Sequence, residues 1–276
     1  MLEALRRQLS EGLFEKVAGP ERERHAQRIH DSPGPRLFAD DRPIRHVHAD
    51  HAMFIGGLRA LLLQSLHPLA MAAVAQHSDY LSDPWGRLQR TSLFLAVTTY
   101  GTADDAHEAI ARLARIHTHI HGTASDGRPY RADDPHLLAW VHVAEVDSFL
   151  RCHQRYGEKP LDDYDGYVAD MAVIADAMGI PDPPRTTAEL DATLQSYRAE
   201  LKGTSEAREA ARFLLVKAPL PMLARGPYAV LSATAVGTLP MWARMPLRLP
   251  YLPISEATSV RFAGHALMRG LRWVTG

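Results

Sequence analysis

The sequence predicts an all-α fold, a single-domain helical bundle of roughly ten helices with a proline-rich C-terminal segment. Two observations carry that prediction. Apolar residues return at helical spacing almost everywhere along the 276 residues, whereas the β-branched alternation of a strand never persists. A third, the repeated pairing of a capping side chain with a helix-opening proline, marks where helices start. Residues 1–45 are expected to form an N-terminal helix and arm, 46–250 the helical body, and 251–276 a C-terminal helix packed on that body.

In chain order, a short helix is expected over 2–17. Residues 31–45 contain Pro33, Gly34, Pro35 and Pro43 and read as an arm lying on the body. Helical spacing resumes over 51–64, breaks at Pro68 and continues to 76. Asp83 followed by Pro84 opens the next helix, which runs to 99 and should be largely buried, because Leu88, Leu93, Phe94, Leu95, Ala96 and Val97 surround most of it. Thr102 with Asp105 resembles a capping arrangement with Asp in the usual Glu position. The helix it opens should reach His121 and stop at Gly122. After a polar loop over 123–131, Asp134 and Pro135 open a helix to Tyr156, and further helices fit 161–178, 188–202, 205–217 and 256–273. The stretch 217–253 holds seven prolines around an apolar piece, so short helical segments joined by extended turns are expected. Packing across the helical body is its ordinary reading, and peripheral contact with a membrane surface, aided by Arg225, Arg244 and Arg248, is the alternative.

Composition narrows the function classes. The 46% apolar and 23% charged content is that of a globular chain and not of a disordered one. With 31 basic and 32 acidic side chains, no global field gathers nucleic acid, and no nucleic-acid partner is expected. The single cysteine, Cys152, excludes an internal disulfide, a Cys-rich zinc site, a cysteine-held iron–sulfur cluster and a covalent c-type haem. Any metal must use other ligands, and the 15 histidines are the place to look. The first residues contain Arg6 and Arg7 without an apolar run of signal-peptide length, and no run reads as a membrane span, so a reducing cytoplasm is the default expectation, with membrane association as the alternative.

Chemistry-bearing residues stand out on three helices. Ala106, Ile110, Leu113, His117 and Ile120 form one narrow helical stripe with His117 inside it, while His119 projects to the polar side and His121 sits at the edge. An inward imidazole is either a hydrogen-bonded core residue or a metal ligand. Arg87, Arg90, Thr91 and Thr98 share one side of the preceding helix. A buried guanidinium there needs an anion, supplied by a protein carboxylate or by a cofactor. His142 lies on an apolar arc with Leu138, Val146 and Phe149, and His67 precedes Pro68 at the helix break. Each is a core or capping histidine or a ligand of lower rank than His117. Neither a Glu-x-x-His pair of di-iron bundles, a His-Glu-x-x-His motif, a Gly-x-Ser-x-Gly elbow nor a phosphate loop occurs.

The run Leu62-Leu63-Gln64-Ser65-Leu66-His67-Pro68, then Asp83-Pro84-Trp85-Gly86-Arg87-Leu88-Gln89-Arg90-Thr91, then Ile116-His117, and finally Asp134-Pro135 with Trp140-Val141-His142, resembles the oxygenase MpaB family, which includes latex clearing proteins. The likeness spans about 45–250, and the order of several motifs makes it more specific than any one of them. It implies an all-helical fold enclosing a non-covalent haem b, and dioxygen chemistry on carbon–carbon double bonds of isoprenoid chains. The family's iron-ligating histidine maps to His117. Its Arg-x-x-Lys-Thr element maps to Arg87, Arg90 and Thr91, with Arg90 where latex clearing proteins carry a lysine; an arginine stays protonated and is a poor metal ligand.

The resulting expectation is a haem-dependent oxygenase taking dioxygen and an apolar small molecule, isoprenoid or otherwise unsaturated. His117 is its metal ligand, Arg87, His142 and His67 are its further cofactor-binding candidates, and Arg90 and Thr91 are its catalytic candidates. A haem-binding sensor or carrier without turnover and a cofactor-free membrane-surface helical protein are the competing readings. The absorption spectrum of the purified protein separates the last from the other two.

Overall fold

Capping residues decide where most of the helices begin. The computed structural model describes residues 15–275 together with 3, 6, 11 and 12. Helix α1 (Arg22–Asp31) precedes an extended arm, and α2 (Pro43–Ala49) opens on a proline. Helices α3 (Ala52–Gln64) and α4 (Pro68–His77) are bent by 106° at their break, where the His67 ring accepts the Ala70 amide and caps α4. Helix α5 (Pro84–Tyr100) starts as Asp83 and Pro84 predict, the Asp83 carboxylate accepting the Gly86 amide at 2.9 Å. At the head of α6 (Ala103–Thr118), Thr102 accepts the Asp105 amide at 3.1 Å and donates its hydroxyl to the Asp105 carboxylate at 2.8 Å. A short hairpin, β1 (His121–Thr123) with β2 (Pro129–Arg131), leads to α7 (Pro135–Tyr156), which Asp134 caps. Then come α8 (Asp165–Ala177), α9 (Thr187–Tyr197) behind a full Thr186–Glu189 capping box, and α10 (Ser205–Arg212), which runs into a π-helical turn, Phe213–Lys217. The chain closes with α11 (Met222–Thr238), α12 (Met241–Leu247) and α13 (Arg261–Thr275), the last entered through Pro253–Ser255 and a second π-helical turn, Glu256–Val260.

About 71% of the chain is helical, which establishes the all-α class. The expected helix over 2–17 falls largely outside the described residues. Two other local expectations change. Pro43 opens α2 instead of staying in the arm, because a first-turn proline gives up an amide that has no partner anyway. The arm itself lies on the body, with the Ala103 amide donating to Pro35 O at 2.8 Å. Gly122 does not terminate α6, which ends at Thr118. It sits in β1 opposite Tyr130, where a Cβ would stand 2.6 Å from the tyrosine hydroxyl, so the glycine permits the strand to close on that ring.

Helix α7 is the centre of the bundle: thirteen of its 22 residues are buried, so it is apolar on nearly all sides. Helix α3 lies along it, at a separation set by Gly56, whose absent Cβ would meet the Phe149 ring at 2.6 Å. Helices α8, α9, α2 and α4 pack around the same axis. Helices α11 and α13 run antiparallel, with Gly264 of α13 against Thr234 of α11, and cover the far side of α3 and α7. Helices α5 and α6 form a second antiparallel pair, and here the structure departs from expectation. Only Thr98 and Thr99 of α5 are buried. Its neighbours are α1, α2, α6 and the segment before α1, where Lys16 lies 5.5 Å over the Trp85 ring and Gln89 donates to the Glu15 and Lys16 carbonyls; most of its apolar side chains are half-buried.

Candidate functional site

The α5–α6 pair is built from two helices of nearly equal length, 17 and 16 residues, joined at Gly101 and Thr102. His117 lies in the last turn of α6 and Arg87 in the first turn of α5. The stripe read from periodicity is present: Ala106 and Ile110 are fully buried, and Leu113, His117 and Ile120 are half-buried as the stripe opens toward the end of the helix. His119 and His121 are exposed, and the His119 ring bonds the Arg115 carbonyl of its own helix.

His117 makes no hydrogen bond among the described residues, and burial lowers its pKa while nearby Asp133 partly opposes that shift. The imidazole is therefore neutral near pH 7, the state in which it can ligate a metal. Arg87 is half-buried and burial lowers its pKa also. Its guanidinium donates to the Ser78 hydroxyl and stands 6.0 Å over the Tyr80 ring. Among the described residues no carboxylate pairs with it, so the protein-carboxylate alternative for Arg87 is not realised.

The two catalytic candidates sit apart from this enclosure. Arg90 is exposed and pairs with Asp83 at 3.5 Å. Thr91 is exposed, its hydroxyl donating to the Arg87 carbonyl at 3.0 Å. No hydrogen bond or ion pair joins either of them to His117.

His142 is fully enclosed, its pKa pushed down to about 4 by burial, and its Nε2 is buried with no hydrogen-bond partner. A buried polar atom without a partner is rare and costly, so this nitrogen is available to a further group. It borders a pocket of about 510 Å³ between α7, the 180–184 loop and α9, which also includes Ala139, Val143 and Tyr197 but neither His117 nor Arg87.

His67 is a different case. Its Nδ1 accepts the Ala70 amide at 3.4 Å and its Nε2 meets Glu200 at 3.4 Å, with His136 also on Glu200 at 3.0 Å. The ligand atoms of these three residues lie within 4.8 Å of one another, as a metal site requires. The tautomer argues otherwise. With Nδ1 accepting, the neutral ring carries its proton on Nε2, the atom that would need a free lone pair. The cluster, with Tyr197 stacked on His136 at 4.6 Å, reads as a fastening between the starts of α4 and α7 and the end of α9.

Two residues that sequence reasoning did not single out belong to the interior. Glu145, one turn after His142 on α7, is deeply enclosed, and burial raises its pKa to about 7. It nevertheless keeps some accessible surface. His48 has the same character, with a pKa lowered to about 3 mainly by burial. Its ring joins the Thr99 hydroxyl at 2.7 Å and the Tyr167 hydroxyl at 3.3 Å. Glu145 in turn raises the Tyr167 pKa. The signal that would have found Glu145 is a carboxylate on the arc of Leu138, His142 and Phe149. Leu88 on α5, Ile116 on α6, Val141 on α7 and Val173 on α8 are large apolar side chains left exposed.

The chemistry of the residues suits a haem: a neutral unbonded imidazole at His117, a half-buried cation at Arg87 without an acid among the described residues and, at a separate pocket, the unpartnered buried nitrogen of His142. The comparisons establish the family. The model of the ER-bound oxygenase mpaB/B'/rubber oxygenase catalytic domain matches residues 45–273, a span that extends the resemblance through α13. No curated protein and no solved structure matches the chain. The chain belongs to the mpaB/B' and rubber oxygenase catalytic-domain family, a family of oxygenases.

Proposed function

We propose that this oxygenase-family chain binds haem b through His117 and acts on an apolar, unsaturated small molecule with dioxygen. The carrying observation is the state of two motif residues: the His117 ring is neutral and unbonded, and Arg87 is a half-buried cation that meets no carboxylate among the described residues. A haem would take an imidazole such as His117 as a ligand within apolar surroundings, and a cation beside its carboxylates would stabilise it further. When bound, it supplies the oxygen chemistry that side chains lack.

The remaining work falls to the chain's own groups. His117 would hold the iron, and Arg87 would hold a propionate by charge-assisted hydrogen bonds. Exposed apolar side chains such as Leu88 on α5 and Ile116 on α6 favour an apolar substrate over a polar one. Glu145, with its pKa near 7, keeps a proton at its carboxyl that an interior reaction can take or return. Arg90 and Thr91, exposed on α5, would take part only through their donor groups, since Arg90 stays protonated and is a poor metal ligand.

A second reading, a haem-binding sensor or carrier without turnover, draws on the unpartnered Nε2 of His142. A second protein imidazole on the iron leaves no open position. One experiment separates the readings. The purified or haem-reconstituted protein is expected to show a Soret band, and its ferrous form to bind carbon monoxide at once. A six-coordinate low-spin spectrum in both oxidation states without carbon monoxide binding selects the second reading, and a chain that takes up no haem overturns both.

A further inference from the structure

Charge and exposure are distributed unevenly along the chain. Between 212 and 276 there are eight basic residues and one acidic residue, in a chain whose formal charge is −1. That acid, Glu256, is spent inside, where it accepts from the nearly buried Arg244 at 2.7 Å. Arg272 is held by Asp50 of α3's entry at 3.1 Å. The other six, Arg212, Lys217, Arg225, Arg248, Arg261 and Arg269, pair with no carboxylate among the described residues.

The same segment carries the most exposed large apolar side chains of the described structure. Val216, Met222, Leu223, Met245, Ile254 and Phe262 are 71–92% exposed. They fall in two groups, one at each end of the antiparallel pair α11–α13. The first lies on the π-helical turn and the head of α11, the second on the end of α12, the turn after it and the head of α13. Helix α11 spans about 25 Å between them. Along α13 the outward positions Phe262, Ala266, Arg269 and Trp273 recur at helical spacing, so the outer face bears an aromatic residue at each end with an arginine between. Each apolar group is flanked by its own cations: Arg212, Lys217 and Arg225 at one end, Arg248 and Arg261 at the other.

We infer that the outer face of the α11–α13 pair docks on an anionic lipid bilayer surface, lying in the interface plane with its two apolar groups inserted and its arginines among the headgroups. Exposed aliphatic and aromatic side chains interleaved with unpaired cations are what such an interface binds. A second copy of the chain is the poorer occupant, because two faces of this positive charge repel. No single described helix is long and apolar enough to cross a membrane, and the contact inferred for this face is a peripheral one. The inference stands on this surface alone and is independent of the haem reading.

The test is co-sedimentation of the full chain with large unilamellar vesicles of phosphatidylcholine alone or mixed with phosphatidylglycerol. Binding to the anionic vesicles is expected, falling steeply with added salt, with little binding to phosphatidylcholine. Each cation near an anionic surface contributes about a fivefold gain in partitioning, so Arg225→Glu, Arg248→Glu and Arg261→Glu combined should reduce binding more than a hundredfold. Met222→Ser with Leu223→Ser, and Ile254→Ser with Phe262→Ser, should each weaken it as well, whereas Leu81→Ser, an exposed leucine far along the chain, should not. Circular dichroism checks that the variants are folded; if one is not, the salt and lipid dependence of the unmodified chain decides. Absence of binding to anionic vesicles, or binding indifferent to lipid charge, overturns the inference. A dimer in light scattering that the serine variants dissolve, without vesicle binding, overturns it in favour of a second copy.

Discussion

Arg59 on α3 and Asp147 on α7 form an ion pair at 2.7 Å in which both side chains are almost completely buried. The guanidinium also donates to the Ser148 hydroxyl at 2.7 Å and to the Thr238 carbonyl at 3.3 Å, so one side chain ties α3, α7 and α11 together. The carboxylate has a second partner in Arg151 at 3.1 Å. Removing one member of such a pair strands the other charge in the core, at a cost of about 3–5 kcal/mol. Arg59→Met is expected to lower stability toward that range, moderated by Arg151, in urea unfolding. Arg59→Met combined with Asp147→Leu should cost less than the single change, because no unpaired charge remains. A double variant no better than the single one would show that the hydrogen bonds to Ser148 and Thr238, and not charge pairing, set the energy.

His117→Ala should remove most of the bound haem, read as loss of the Soret band after reconstitution. His119→Ala, an exposed neighbour bonded to its own helix, is the control and should change little. A folded His117→Ala protein with an unaltered Soret band, together with loss of the band in His142→Ala, would transfer the ligand role to His142.

Among the described residues Arg87 has no acidic partner, so its removal strands no carboxylate there. Arg87→Met should change the unfolding free energy of the haem-free protein by less than about 1 kcal/mol, or raise it, since an unpaired half-buried charge is lost. The same change should weaken haem retention by about tenfold or more, the value of a charge-assisted pair to a propionate. Equal haem affinity in the variant and the unmodified protein would separate Arg87 from the cofactor.

Glu145 gives a pH prediction with a defined sign. Its folded pKa of about 7 lies above the ordinary 4.5, so between those values the folded state binds more protons than the unfolded one. Stability must then fall as pH rises from about 4.5 to about 7 and stay level above, by at most about 3 kcal/mol from this group. Buried His48 and His142, lowered to about 3 and about 4, act in the opposite direction over part of that window, because their unfolded forms take up protons first. The readout is therefore the difference between the unmodified protein and Glu145→Gln in urea titrations at several pH values. That difference should grow with pH in favour of the variant and level off above about 7; a difference independent of pH would place Glu145 in contact with water.

Much of this protein was determined by sequence alone. The caps at Asp83, Thr102 and Asp134 and the inward position of His117 were legible, because capping and helical periodicity depend on residues within four positions of one another. The family was legible too, from ordered short motifs. The tertiary structure decided what depends on distant partners. Periodicity made α5 a buried helix, yet whether an apolar face is covered depends on which distant elements pack over it, and most of this one is only half-buried. Spacing placed Arg87, Arg90 and Thr91 on one side, but only the approach of Ser78 and Tyr80 encloses the first while the other two remain exposed. His67 resolved into a cap because Glu200, 133 residues away, meets its other nitrogen. Glu145 acquired its raised pKa, and the segment beyond residue 212 its uncovered apolar surface, in the same way: burial is a property of long-range packing, which no local pattern specifies.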